Sequence, residues 1–188
     1  SYLPHFISLV AVCSMLNLLL NPSSGIINKI LNAFGVESIY FMGSTQWYRP
    51  VYIISQIWQT FGYSAIIYIS ALSAVPQELY ESASVDGASR FRQLTTISLP
   101  SIMPTVVIML ILECGKLLSV GYEKTLLLQN SANNSVADII STFAYRVGMS
   151  QGMYSFGTAV DLFTAVINCL MVFVVNKISK RVSDTSLW

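Results

Sequence analysis

The run "ELYESASVDGASRFRQLTTISLP", residues Glu78 to Pro100, is the longest polar, charge-bearing stretch of the 188-residue chain. What surrounds it is apolar. Charged residues make up 10% of the sequence, against about 25% in ordinary soluble proteins. Mean hydropathy is +0.61. The apolar fraction of 54% decides little, since soluble domains reach about 45–50%. The sparse, clustered charges are what distinguish the chain: they leave long uncharged windows, as polytopic membrane proteins do. A net charge of +1 supplies no basic stripe for phosphates and excludes a nucleic-acid partner.

Working outward from the polar run, four windows approach the roughly 20 apolar residues that a bilayer core requires of a helix. They are Tyr2–Leu20, closed by "NPSSG", then Val51–Val75, Ile102–Tyr122 and Phe156–Asn176. All carry scattered Ser, Asn, Gln or Gly, which suits faces packed on other helices. The expected fold class is therefore all-α, a polytopic transmembrane helix bundle with four spans. Between the first two windows, "GIINKILNAFGV" reads as a short amphipathic helix, and Tyr40, Phe41, Trp47 and Tyr48 suit a membrane interface. Between the last two, the polar "NSANNSVAD" leads into "VADIISTFAYRVG", which predicts another short helix.

The chain starts at Ser1 in an apolar run with no basic region before it and no cleavage site after it, so that run is not expected to be a signal peptide. Cys13, Cys114 and Cys169 each sit in an apolar window without metal-ligand spacing, and His5 is the sole histidine. No disulfide or metal site is indicated. Arg90, Arg92, Lys177, Lys180 and Arg181 would share one side of the membrane; Lys29, Arg49, Lys124 and Arg146 are spread over the other. The bias places the polar loop and the C-terminus in the cytoplasm.

Physically, the polar run reads as a helix–turn–helix. Pro76 suits a first helical turn, and Glu78 and Glu81 follow where acids favour the positive helix end. Gly87 can take the left-handed conformation of a C-cap. Ser89 can cap a second short helix, which is expected to end before Pro100. Ser82, Ala83, Ser84 and Ala88 are small, so another protein can approach closely.

"YESASVDGASRFRQLTTISLP" resembles the EAA loop of binding-protein-dependent ABC importer permeases. Glu81-Ser82-Ala83 takes the place of Glu-Ala-Ala, Asp86-Gly87-Ala88 follows at the family spacing, and Ile97-Ser98-Leu99-Pro100 closes the pattern. Ser82 for the first Ala is a departure that keeps a small side chain. The flanks "GYSAIIYISALSAVPQELYESA" and "GYEKTLLLQN", and the tail "VNKISKRVSDTSLW", are similar to carbohydrate-uptake permeases, most of all those for oligosaccharides or polysaccharide fragments.

The resemblance implies a type I importer permease, residues 1–188 forming one transmembrane domain with a coupling loop at 76–101 and two spans of the family's six missing. It implies a multi-pass protein of a bacterial cytoplasmic (inner) membrane, working with a second permease, two ATPase subunits and an extracellular substrate-binding protein. The loop residues Glu78, Glu81, Ser82, Ala83, Asp86, Gly87, Ala88, Arg90 and Pro100 would form the ATPase-coupling surface. Glu81 would be the acidic contact, Gly87 the turn, and Ala83 and Ala88 the points of close approach. No G-x-x-x-x-G-K-[ST] occurs in the sequence, so ATP and Mg would be bound by the partner ATPase and not by this chain. The chain is not expected to be an enzyme.

Polar residues inside the windows are candidates for a carbohydrate path: Gln56, Trp58, Gln59 and Tyr63 in the second, Glu113 and Lys116 in the third, Asp161 and Asn168 in the fourth. Gln56, Gln59 and Tyr63 recur on one helical face, and intramembrane charges usually face a bundle interior or a water-filled path. Helix-to-helix polar packing is the competing role for each, and Glu113 and Lys116 are spaced to pair with one another. Two other readings stand beside the sugar importer: an ion-driven transporter using Glu113, Lys116 and Asp161, and an ABC permease for a non-sugar solute.

Overall fold

The computed structural model describes residues 1–119 and 121–183, with side chains to Lys180. Val120, the tail 184–188 and the Arg181 side chain, which entered the charge count above, lie outside the described residues. A 3-10 turn at Leu3–Phe6 precedes the helices α1 (Leu9–Leu19), α2 (Ile26–Ala33), α3 (Thr45–Ser73), α4 (Gln77–Val85), α5 (Arg90–Gln93), α6 (Leu99–Cys114), α7 (Tyr122–Leu128), α8 (Asn134–Ala137), α9 (Ile140–Tyr145) and α10 (Tyr154–Ser183). π-turns occupy Leu94–Ser98 and Arg146–Ser150. No strand occurs among the described residues.

Two helices are both long and apolar enough to cross a bilayer: Arg90–Cys114 and Tyr154–Lys180, with mean hydropathies of 2.0 and 2.1. Only 11% of either window is buried within the chain, whereas a core helix of a soluble protein would be mostly buried. Their apolar side chains therefore face outward, as lipid-facing surfaces do. The other two expected windows form helices of a different kind. The extended backbone at Ile7 separates the 3-10 turn from α1, leaving an 11-residue apolar helix in place of Tyr2–Leu20. At about 1.5 Å per residue α1 is roughly half a span. α3 has 29 residues, ample for a span, but Ser, Gln, Thr and Tyr dilute its apolar content. The third window is shifted toward the N-terminus: its helix starts at Arg90 and stops at Cys114, not Tyr122.

The chain divides into two compact units, Ser1–Gly62 with Leu118–Thr164, and Tyr63–Leu117 with Ala165–Trp188. The first unit has a small mixed core. Cys13, Met42, Tyr48, Leu128 and Ala137 pack together, with Leu16, Val51 and Tyr52 against them. Two buried asparagines organise the connections around this core. Asn28 is 1% exposed; its amide donates to the Asn21 and Ile39 carbonyls and its Oδ1 accepts from the Ile39 N–H at 2.8 Å. Asn133 is fully buried and donates to the carbonyls of Met42 at 2.7 Å and Leu128 at 3.0 Å. Its Oδ1 accepts the Asn130 N–H. The polar run "NSANNSVAD" is thus not a loose connector. Its amides satisfy backbone groups that burial would otherwise leave unpaired.

Replacing Asn133 with Ala strips three hydrogen bonds from a buried site, and unsatisfied buried groups cost about 1–3 kcal/mol each. Asn133→Ala is expected to lower the thermal unfolding midpoint of the detergent-solubilised protein clearly, while Ser131→Ala on the same loop leaves it in place. Equal midpoints for both variants would contradict the role of Asn133.

Candidate functional site

The polar run folds, in the second unit, into a hook at the start of a membrane-length helix. Pro76 is the N-cap of α4, one position ahead of the expected first turn, and Glu78 lies in that turn. The helix ends at Val85, and Gly87 takes φ +76°. The Ala88 N–H donates to the Ala83 carbonyl at 2.9 Å and the Gly87 N–H to the Ser84 carbonyl at 3.1 Å. This is a complete Schellman closure, with glycine at the left-handed position. Ser89 caps the next helix, its Oγ accepting the Arg92 N–H at 3.4 Å.

The second helix does not stop before Pro100. α5 passes through the π-turn Leu94–Ser98 directly into α6, which contains both Pro100 and Pro104. A proline interrupts the backbone ladder and crowds the carbonyl four residues earlier, and a wide π-turn just ahead of it relieves that crowding without ending the helix. The Thr95 and Thr96 hydroxyls donate to the Phe91 and Arg92 carbonyls through this turn, providing for groups that the altered ladder serves poorly.

Glu78, Glu81, Ser82, Asp86, Gly87, Arg90 and Pro100 are all exposed. Ala83 and Ala88 are half-buried on the inner side of the turn, so their small size serves the closure itself. Glu81 accepts a hydrogen bond from Gln77 Nε2 at 2.9 Å. Sequence reasoning passed over two apolar side chains beside the turn, Val85 at 89% and Phe91 at 75% exposure. Their signal was present: large apolar residues within an otherwise polar run.

The candidate path residues fall in both units. Gln56 and Gln59 line a cavity of about 540 Å³ in the first unit, together with His5, Thr60, Glu123 and Lys124. Gln59 is buried and donates to the Ile7 carbonyl at 3.3 Å. Asp161 lines a second cavity of the same unit, about 480 Å³, with Tyr122, Tyr145, Tyr154 and Thr158. Trp58 is exposed on α3. Tyr63, Glu113, Lys116 and Asn168 belong to the second unit. Glu113 is the penultimate residue of α6, and Lys116 follows the Gly115 C-cap. Their pair forms at 3.8 Å with both side chains more than 60% exposed. An ion pair so exposed contributes at most about 1 kcal/mol in water. Among the described residues no group of three His, Cys, Asp or Glu side chains could hold a metal ion.

The residue that the sequence concealed is Lys124. It is 1% exposed and has no carboxylate partner in the ion pairs of the described residues. Its Nζ donates to the Tyr52 carbonyl at 3.2 Å and to Gln56 Oε1 at 3.1 Å, and sits 4.8 Å from the Tyr52 ring centroid. The Tyr52 hydroxyl donates in turn to the carbonyl of Gly121, whose φ is +78°. One buried cation thus ties α7 to the N-terminal half of α3. Burial pushes the Lys124 ammonium down to about 8, partly opposed by the Cys13 thiol. At Asp138 burial opposes ionisation, but hydrogen bonds from Arg146, Thr142 and Gln129 outweigh it and hold the carboxyl below its ordinary range. The Arg146 contact is 2.5 Å.

The sequence as a whole matches a family. The binding-protein-dependent transport system inner membrane component matches residues 1–184. The chain belongs to this family. It is 41% identical over 187 residues to the polygalacturonan/rhamnogalacturonan transport system permease protein YteP of Bacillus subtilis (strain 168), covering all of this chain and 58% of that protein. It is 29% identical over 163 residues to the trehalose/maltose transport system permease protein MalF of Thermococcus litoralis, covering 87% of this chain and 55% of that one. The solved bacterial alginate ABC transporter, in complex with an alginate pentasaccharide-bound periplasmic protein, contains a chain that superposes with a TM-score of 0.94 at 40% identity. That match covers 99% of this chain and 65% of its counterpart. The chain thus spans roughly three-fifths of the relatives that it resembles. As a member of this family it is an inner-membrane transport component with the all-helical permease fold.

The depressed Lys124 fixes a pH window. Between about 8 and the ordinary lysine value of 10.5, the unfolded chain binds a proton that the folded chain does not, so stability rises with pH. Below about 8 both states are protonated and the slope vanishes. Lys124→Met is expected to remove this slope, read as the difference between the two proteins' unfolding midpoints from pH 7 to 10.5. Parallel pH profiles would contradict the buried, low-dielectric placement of the ammonium.

Proposed function

We propose that the chain is the membrane-spanning permease subunit of an ATP-driven importer of oligosaccharides, with the hook at Gln77–Gln93 as the element that receives the ATPase stroke. One observation carries the reading: a solvent-exposed turn, closed by its own hydrogen bonds, continuous with a helix long enough to cross the membrane. In this reading residues 1–188 act as one permease domain. The loop at 76–101 and the C-terminus face the cytoplasm, in keeping with the Lys and Arg bias. Glu78, Glu81, Ser82, Asp86 and Arg90 meet a groove on a separate ATPase subunit, Val85 and Phe91 enter it, and Gly87 holds the angle. Ala83 and Ala88 shape the turn from its half-buried side, and Pro100 shapes the exposed start of α6. ATP and Mg belong to that subunit, two copies of which serve this permease and a second one. An extracellular binding protein delivers the sugar.

ATP-driven closure draws the hooks together and tilts the attached helices, so that the path alternates between facing inward and outward. The chain itself makes and breaks no covalent bond. The cavity with Gln56, Gln59 and Lys124 has the neutral hydrogen-bonding groups that carbohydrate hydroxyls require, and its buried cation suits sugars that carry carboxylates. The named relatives that handle polygalacturonan and alginate support acidic oligosaccharides as the cargo class. Membership of a binding-protein-dependent family leaves the ion-driven reading without support.

The test is ATP hydrolysis by the full-length complex in lipid, with its partner subunits and binding protein, with labelled oligogalacturonate or maltose as the probe. Gly87→Val forces a β-branched residue to φ +76°, a strained conformation costing on the order of 1–3 kcal/mol. Combined with Glu81→Lys, it is expected to abolish sugar-stimulated hydrolysis in an assembled complex. Native hydrolysis by that variant would overturn the coupling role. Stimulation by maltose alone would overturn the acidic cargo class.

A further inference from the structure

The hook can transmit force only if it does not fold up at its own turn. α4 is joined to α5 through the single left-handed residue Gly87, the softest link in the element. Two side-chain braces cross the hinge. Gln93 Nε2 donates to Ser84 Oγ at 2.9 Å and to the Ala88 carbonyl at 3.2 Å, close to the turn. Further out, the hydroxyls of Tyr80 and Ser98 hydrogen-bond at 2.9 Å across 18 positions of sequence.

The outer brace has the better geometry for this task. Tyr80 lies seven residues before Gly87, about 10 Å along the helix, so a bond there resists rotation about the turn with a longer arm than Gln93 has. It is also sheltered. Ser98 is 8% exposed and Tyr80 half-buried, so water competes poorly for either hydroxyl. Its far end is the last residue of the π-turn Leu94–Ser98, where the membrane-length helix has its weakest hydrogen-bond ladder. The brace thus spans both deformable points of the element, the Gly87 turn and the π-turn.

We propose that the Tyr80–Ser98 hydroxyl pair is a positioning element that makes the hook and the helix Arg90–Cys114 move as one body, so that displacement of α4 reaches the helix instead of being absorbed at Gly87. This rests on the coupling role proposed for the hook. Neither residue need touch the ATPase or the sugar. The pair sets how much of the stroke is delivered per ATP, a quantity that a purely stabilising contact would not alter.

The experiment is uptake of labelled oligogalacturonate and ATP hydrolysis measured in the same proteoliposomes, with the full-length complex and its binding protein. Tyr80→Phe and Ser98→Ala each remove one hydroxyl and leave the remaining shape. Each is expected to lower sugar transported per ATP roughly five-fold, the effect of one ordinary hydrogen bond. Subunit stoichiometry and hydrolysis should persist. The double variant is expected to be no worse than the worse single one, and Ser98→Thr, which keeps the hydroxyl, to transport normally. An unchanged ratio in both single variants overturns the proposal, as does a parallel loss of uptake and hydrolysis. Gly87→Val in the same assay separates the two levels. If it uncouples while Tyr80→Phe is native, the brace fails and the coupling role survives; if it too is native, both fail.

Discussion

The polar hook, on which the functional reading of this chain rests, depends on a backbone reversal at Gly87. A membrane helix cannot offer a rigid polar contact surface by simply running on into water, because an exposed helix end frays and its last carbonyls lack partners. Here the Schellman bonds of Gly87 and Ala88 close those carbonyls, and glycine alone adopts the required φ without strain. The turn then holds α4 alongside the start of the long helix. The charges, the two protruding apolar side chains and the braces all gain their positions from that one conformation.

The first unit solves a different problem, burying polar groups where little core is available. Asn28 and Asn133 tie connecting backbone at Ile39 and Met42 to the core, and Lys124 cross-links α7 to α3. A buried lysine held by a carbonyl, an amide and an aromatic ring is costly to charge, and its depressed titration reflects that cost.

Legibility in the sequence followed the range of the interactions. Pro76, Gly87 and Ser89 announced the hook because caps and turns are governed by one or two residues. The two membrane-length helices were visible because lipid demands an unbroken apolar run. The passage of the helix through Pro100 was not visible, since a proline ordinarily marks a boundary and a π-turn has no strong sequence pattern. Lys124 looked like a loop lysine because its partners Tyr52 and Gln56 lie about 70 positions earlier. The end of α6 at Cys114, between Glu113 and Lys116, was hidden inside an apolar window. The path candidates were chosen by polarity alone, and only tertiary structure showed that Gln56 and Gln59 line one cavity and Asp161 another.

The most direct measurement is site-specific cross-linking in the full-length transporter. A cysteine introduced at Val85 would be paired with single cysteines lining the groove of the ATPase subunit, with and without a non-hydrolysable ATP analogue. The account predicts an efficient cross-link whose extent changes with nucleotide, because the turn seats in the ATPase and moves with it. A cysteine at Val85 that modifies readily with a water-soluble reagent in the assembled complex, yet never cross-links in either state, would contradict it.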